Sequence, residues 1–407
     1  MDTLIMDVLK DLSVKTDSKI VLVVLDGIGD LPNEEGKTPL EAASTPNLDR
    51  LAVNSNLGLL DPIYPGITPG SGPGHLGLFG YNPLRYSIGR GVLSALGTGM
   101  EMGEKDVAAR GNFCTIDKDG IVTDRRAGRI PTELCAKMCD KINKAVSEID
   151  GIKVMVRPEE EHRFVLLLSG EGLGPHVSDT DPQKTGLEPL QAKALDSASE
   201  KTAQVVNKFV GIVKEALKDE HPANMVLLRG FDKLPDIDKL QDIYKLTPCA
   251  IASYPMYKGI AKAVGMEVIP LEGHGELLEE KIKLYEENYD KYDYIFFHVK
   301  KTDSYGEDGN FENKVHQIEA FDEALPRILA KNPDVIAITG DHSTPCVMKG
   351  HSWHPVPFLL SAPNLRADNA ERFTETFCLK GVLGRMYSMQ MMSLLMAHAG
   401  KLKKYGA

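Results

Sequence analysis

Two stretches constrain this chain more than any others, because each is an apolar run that stops abruptly at ligand-type side chains. Val335-Ile336-Ala337-Ile338-Thr339 is rich in β-branched residues and ends at Gly340-Asp341-His342. His351 and His354 follow, in a loop that Pro355 and Pro357 keep extended. Lys19 to Asp30, KIVLVVLDGIGD, is a second continuous run ending in Asp26-Gly27. Such runs without alternation read as central strands of a parallel sheet, buried on both faces. In open α/β sheets chemistry collects beyond the carboxyl ends of the strands, where Asp26, Asp341 and His342 fall. An Asp-His pair also caps helices and fills cores; with His351 close behind, the metal-ligand reading is favoured.

A third run, Tyr292 to Val299, leads into Lys300-Lys301-Thr302-Asp303-Ser304-Tyr305-Gly306-Glu307. Read as an acid-rich loop, this segment offers Asp303 and Glu307 as two carboxylates sharing a hard cation, or simply as a solvated turn. The glycine-dense stretch from Gly66 to Pro83 holds Ser71 and has no Lys beside a Ser or Thr, so it is not a Walker-type phosphate loop. Its glycines permit close backbone approach, and a helix beginning near Gly74 would aim its positive end at the loop. Ser71 is then either a nucleophile activated by a metal or a helix cap. Asp26 is likewise a ligand or the cap of its own turn. Gly27-x-Gly29 lacks the third glycine of a dinucleotide fold. Grouped, Asp26, Asp303, Asp341, His342, His351 and Ser71 supply O and N donors for two divalent metals, the requirement of phosphoryl transfer through a phosphoserine.

Composition limits the alternatives. A chain of 407 residues that is 42% hydrophobic can form two or three domains with full cores. A net charge of -11 argues against a nucleic-acid footprint. No stretch reaches the ~20 uncharged apolar residues of a membrane span, and Met1 to Ser18 reads as a short amphipathic helix, not a signal peptide. The six Cys, at 114, 135, 139, 249, 346 and 378, follow no metal or disulfide spacing, which indicates a reducing cytoplasm. From Gly103 to Leu246 the texture changes, with strands at Ala108 to Ile116, Phe164 to Ser169 and Met225 to Arg229. Helices are expected at Leu134 to Ile149 and Ala192 to Leu217. This region carries Arg110, Arg125, Arg126, Arg129, Arg157, Arg163 and Arg229, either bidentate anion clamps or solvated surface. On a strand, Arg125 and Arg126 would face opposite ways. Beyond it, Ile251 to Gly265, with Lys258, and Phe311 to Ile328 read as helices, and Gln390 to His398 as a Met-rich core helix.

The segments LDGIGD, TPNLDRLA, PGSGPGHLGLFGYNP, GRGVLSALGTG, DRRAGR, SDTDP, YKGIAKAVGM, HVKKTD, GDHSTPC and HSWHPVP occur in this order over nearly the whole chain. Together they resemble the archaeal-type 2,3-bisphosphoglycerate-independent phosphoglycerate mutases of the alkaline phosphatase superfamily. The resemblance implies an alkaline-phosphatase-like α/β core, its mainly parallel sheet covered by helices on both faces, formed by residues 1–102 and 247–407. It also implies an inserted smaller α/β cap at 103–246. One metal would be held by Asp26, Ser71, Asp341 and His342, the other by Asp303, Glu307 and His351, with Ser71 transiently phosphorylated. Arg126 and Arg129 would bind the glycerate and Lys258 the phosphate. The implied activity interconverts 3-phosphoglycerate and 2-phosphoglycerate in the cytoplasm, in glycolysis and gluconeogenesis, without 2,3-bisphosphoglycerate and without nucleic-acid or membrane partners. Rival readings are a phosphomonoesterase or other phosphotransferase of the superfamily, and a non-catalytic metal- or metabolite-binding paralogue. The family usually carries His where this chain has Glu307, commonly Gly at Lys301, and Asp or Asn at His354. Glu is a harder ligand than imidazole, so Mn²⁺, or Mg²⁺, is expected ahead of Zn²⁺. His354 is left as a neighbour of the ligands.

Overall fold

The computed structural model describes residues 2–271 and 277–406. They form two compact units: Met1–Ser87 with Ile237–Tyr254 and Val264–Ala407, and Ile88–Asp236 with Pro255–Ala263.

In the first unit the run at Ile20–Leu25 is buried at every position, because both of its sheet neighbours are themselves apolar strands. Each such side chain contributes roughly 1.5–3 kcal/mol of burial, which leaves no place in the strand for a polar residue. Tyr294–Val299 and Val335–Thr339 flank it in parallel, with Leu25 opposite Val299 and Val24 opposite Thr339. The three strands therefore end side by side. Among the described residues the sheet has eight strands, in the order Glu267–Val268, Pro248–Ile251, Tyr294–Val299, Ile20–Leu25, Val335–Thr339, Val356–Ser361, Asn56–Asp61 and Gly384–Tyr387. Val356–Ser361 alone runs antiparallel to its neighbours. Pro355, just before it, and Pro357, within it, read as an extended loop in the sequence, since Pro normally marks an edge strand. Here Pro357 pairs in register with Leu59, and its carbonyl accepts from Thr339 Oγ1 at 2.8 Å.

Alternation sends Ile295, Phe297 and Val299 into one cluster with Val21, Val23 and Leu25 and with Ile318, Phe321 and Leu325 of the helix Phe311–Leu329. The intervening Phe296 meets Phe79 and His75 at ring separations of 5.0 and 5.5 Å. Two local expectations change. Lys301–Asp308 is a helix and not an acidic loop, closed by Gly309 at φ 71°; it shows no apolar period, but Asp303 in its first turn complements the helix N-terminus. The segment read as one helix from Ile251 divides into the strand Pro248–Ile251 and the helix Pro255–Ala263.

The second unit is built on a six-stranded sheet. Val107–Ile116 is paired antiparallel with Arg163–Ser169 on one side and Met225–Asp232 on the other. Cys135, Met138, Cys139 and Ile142 of Thr132–Ala145 and Val206, Phe209 and Val213 of Glu200–Leu217 join strand residues in one core. Residues 88–102, assigned by sequence to the first unit, belong here. Arg90–Gly97 packs so closely on the sheet that a Cβ at Gly91 would run into the Ala108 carbonyl. Pro255–Ala263 belongs here for the same reason, Gly259 meeting the Leu93 backbone. Residues 237–246 lie instead in the first unit. Arg125 and Arg126 are not on a strand: the strand ends at Asp124, whose carboxylate accepts from Arg126 N and Gly128 N to shape a turn. Among the described residues no helix is long and apolar enough to cross a membrane.

In the first unit Glu375 turns its carboxylate inward, accepting from Thr38 Oγ1 at 2.8 Å and Asp30 N at 3.3 Å. Burial pushes its pKa up to about 7. The unfolded value is roughly 4.3, so between the two the native state holds a proton the unfolded chain has lost. Stability must fall as pH rises across that window and level off above it. Glu375→Gln should flatten this slope. Urea unfolding should find the variant ahead by less than ~1 kcal/mol near about pH 5 and by about 2 kcal/mol near about pH 8, with the side chain's residual exposure discounted.

Candidate metal centre

Because the three parallel strands end together, the residues that follow them meet. Asp26 follows Leu25, Asp303 lies in the first turn of the helix after Val299, and Asp341 and His342 follow Gly340. All four are buried. Their donor atoms form two groups, Asp26, Asp341 and His342, and Asp303, His342 and His351, the atoms of each within 4.8 Å of one another. His342 belongs to both: its Nε2 lies 3.3 Å from Asp26 Oδ1 and from Asp341 Oδ2, and 3.9 Å from Asp303 Oδ1. His351 Nε2 is 3.6 Å from Asp303 Oδ1, and its ring stacks on His342 at 3.7 Å. His351 Nδ1 contacts the Pro69 carbonyl at 3.0 Å. A carbonyl only accepts, so Nδ1 carries a hydrogen there, and Nε2 is the nitrogen turned toward Asp303.

Ser71 is the first residue of the helix Ser71–Leu78, which starts earlier than the expected Gly74. Its Oγ stands 3.3 Å from His342 Nε2. One turn on, buried His75 contacts the Ser71 carbonyl through Nδ1 at 2.8 Å and lies 3.2 Å from Asp341 Oδ2. The helix can approach this loop because residue 74 is glycine: a Cβ there would run into the Asp341 carbonyl.

Three buried carboxylates this close require cations. Burial alone would raise the Asp26 carboxyl, but Lys300, then His298 and His342, hold it well below the usual range. Lys300 Nζ is 3.3 Å from Asp26 Oδ2 and donates to Asp303. Burial opposes its charge, yet Asp26 and Asp303 keep the ammonium above the ordinary lysine value. Burial also opposes the His342 imidazolium, but Asp341, Asp26 and Asp303 raise it to about 9. Asp341 Oδ2 is buried and accepts no hydrogen bond among the described residues. An unsatisfied carboxylate oxygen within a set of oxygen and imidazole donors fits divalent cations.

The other expected residues fall outside the two groups. Glu307, 55% exposed at its side chain, stands 3.8 Å from His351 Nε2. His354 bonds Ser352 Oγ at 3.0 Å and stacks on Trp353. Arg126 and Arg129 are exposed residues of the second unit, while Arg125 is held bidentate by Asp181 at 2.7 and 2.9 Å. Lys258 lies in the second unit, not in the first as the sequence division had it. Sequence reasoning missed Lys300, His75 and His298. The first was legible as the residue directly after the strand Tyr294–Val299, the second as one helical turn from Ser71. His298, 3.5 Å from Asp26 Oδ2, left no signal beyond a polar residue in an apolar run.

The carboxyl ends of the central strands gather two carboxylate–imidazole groups that could hold metal ions, around a serine at a helix N-terminus, a set of donors suited to phosphoryl transfer. Known proteins narrow this class. The family model described as 2,3-bisphosphoglycerate-independent phosphoglycerate mutase matches residues 52–224. A probable 2,3-bisphosphoglycerate-independent phosphoglycerate mutase of Thermus thermophilus is 61% identical over 401 residues, 98% of this chain and 99% of that protein. One of Aquifex aeolicus, with the same description, is 52% identical over 409 residues, 99% of this chain and 100% of that protein. Among solved structures, a protein of Pyrococcus horikoshii aligns with TM-score 0.82 and 32% identity over 97% of this chain and 100% of its own. The cofactor-independent phosphoglycerate mutase of Thermoplasma acidophilum gives 0.72 and 30% over 94% and 100%. The chain belongs to the 2,3-bisphosphoglycerate-independent phosphoglycerate mutase family.

Gly74→Ala should move the Ser71 helix away from the Asp341 loop and lower phosphoryl-transfer kcat by about 100-fold, as misplacements near 1 Å do. Far-ultraviolet circular dichroism should stay unchanged; full activity in the variant would show that the close approach is dispensable.

Proposed function

We propose that this chain is a cofactor-independent phosphoglycerate mutase that interconverts 3-phosphoglycerate and 2-phosphoglycerate through a phosphoserine at Ser71. The observation that carries the reading is the position of Ser71 Oγ, 3.3 Å from the imidazole that both donor groups share. Asp26, Asp341 and His342 with Ser71 would hold one divalent ion, and Asp303 and His351 with Glu307 the other, Mn²⁺ foremost. When bound, these ions supply positive charge that lowers the Ser71 hydroxyl pKa and neutralises the phosphoryl oxygens.

Ser71 Oγ gives up its proton and attacks phosphorus as the bond from phosphorus to the glycerate oxygen breaks, and that leaving oxygen takes up one proton in exchange to become a hydroxyl. The Ser71–Leu78 helix turns its positive end toward the transferring group. Glycerate then reorients, and its other hydroxyl accepts the phosphoryl group from Ser71. In this reading the first unit is an alkaline-phosphatase-like core with helices on both faces of its sheet. The second is an inserted cap in which Arg126 and Arg129 bind glycerate and Lys258 meets the phosphate. Retention of glycerate away from water separates a mutase from a phosphatase. Six buried free thiols support work in a reducing cytoplasm.

Metal-depleted protein given 3-phosphoglycerate should form 2-phosphoglycerate only after Mn²⁺, Mg²⁺ or Zn²⁺ is restored, with free phosphate a minor product. Release of phosphate without 2-phosphoglycerate would convict a phosphatase instead. Ser71→Ala should abolish turnover, a loss on the order of 10³-fold or more. Glu307→Ala should weaken one of two bound Mn²⁺ ions by about 10-fold in a calorimetric titration; two ions bound with wild-type affinity would remove Glu307 from the ligand set.

A further inference from the structure

We infer that Thr344 is a positioning residue that couples the two donor groups and fixes the ring nitrogen that His342 presents to them; the inference rests on the metal-centre reading above. Thr344 is buried, two residues beyond His342. Its Oγ1 lies 2.6 Å from Asp303 Oδ1 and 2.9 Å from His342 Nδ1. A hydroxyl has one proton to give. Asp303 accepts from the Lys300 ammonium and, at the shorter of the two hydroxyl contacts, from Thr344, so the proton goes to Asp303. At its other contact the hydroxyl must accept, and His342 Nδ1 must carry the hydrogen. Nε2 is then the nitrogen directed at Asp26, Asp341 and Ser71, each 3.3 Å away. One hydroxyl thereby orients a donor shared by both groups and a donor belonging to the second.

Its surroundings keep this hydroxyl in place. Gly27, at φ 61°, leaves the space it occupies, since a Cβ there would run into Thr344 Oγ1. A Cβ on Gly306 would run into the Thr344 carbonyl and come within 2.9 Å of its methyl group. Thr344 N donates to the Gly29 carbonyl at 3.0 Å. The Thr344 carbonyl accepts at 3.0 Å from the buried Lys314 ammonium, which also donates to the Gly27 carbonyl and to Asp30 at 2.8 Å. Lys314 thus ties the loop that carries Asp26 to the loop that carries His342, and Thr344 converts that tie into side-chain orientation.

Thr344→Val keeps the shape and removes the hydroxyl, whereas Thr344→Ser keeps the hydroxyl. Calorimetric titration of the full chain with Mn²⁺ should find two ions in the wild type and an affinity about 10- to 100-fold weaker in Thr344→Val, the usual effect of losing a partner behind a ligand. Thr344→Ser should restore most of that affinity, and the melting temperature in chelator should hardly differ among the three. Wild-type affinity in Thr344→Val overturns the positioning role alone. A wild type that binds no divalent ion overturns the metal centre and this inference with it. Should Thr344→Val fail to fold, nitrogen NMR of ¹⁵N-histidine wild type loaded with Zn²⁺ decides: His342 should show a protonated Nδ1, and a protonated Nε2 contradicts the assignment.

Discussion

The structure depends on one electrostatic constraint: Asp26, Asp303 and Asp341 are buried together at the end of three adjacent parallel strands. Burying a carboxylate costs several kcal/mol unless a cation answers it. The chain answers with Lys300 across Asp26 and Asp303, and with His342 and His75 against Asp341. That arrangement still leaves Asp341 Oδ2 without a hydrogen bond among the described residues. A buried carboxylate oxygen left in this way is poor for stability and well suited to binding a divalent ion.

Close packing turns this constraint into geometry. The fully apolar run at Ile20–Leu25 fixes the registers of its two parallel neighbours, so Asp26, Asp303 and His342 emerge at one level. Small residues then bring the pieces into contact. Gly27 admits the Thr344 hydroxyl, and Gly74 admits the Asp341 backbone under the Ser71 helix. The buried Lys314 joins two of the loops that carry candidate donors, through their carbonyls. Fold and site are therefore not separable here, because the hydrogen bonds that hold the loops also aim the donors.

The sheet centre and the candidate donors were legible because both are written as contrasts. Apolar runs broken by Asp26 or by Asp341-His342 announce buried strands and what lies beyond them. Val356–Ser361 was hidden by Pro355 and Pro357, whose ordinary preference for edges is overridden by a register that spends the Pro357 carbonyl on Thr339. The Lys301–Asp308 helix was hidden by its acidity. The sharing of His342 between two groups could not be read from spacing, which lists residues but not the direction of a ring. Lys258 and residues 88–102 were misassigned because glycine-mediated helix packing at Gly91 and Gly259, and not chain continuity, decides which unit they join.

The central claim is that Ser71 carries the phosphoryl group between two positions on one glycerate. Rapid acid quench of the Mn²⁺-loaded protein during turnover of 3-phosphoglycerate, followed by peptide mass spectrometry, tests it most directly. The account predicts phosphate on Ser71 and on no other residue, appearing before 2-phosphoglycerate reaches equilibrium. Turnover at full rate with Ser71 unmodified, or with phosphate on a histidine, would contradict it.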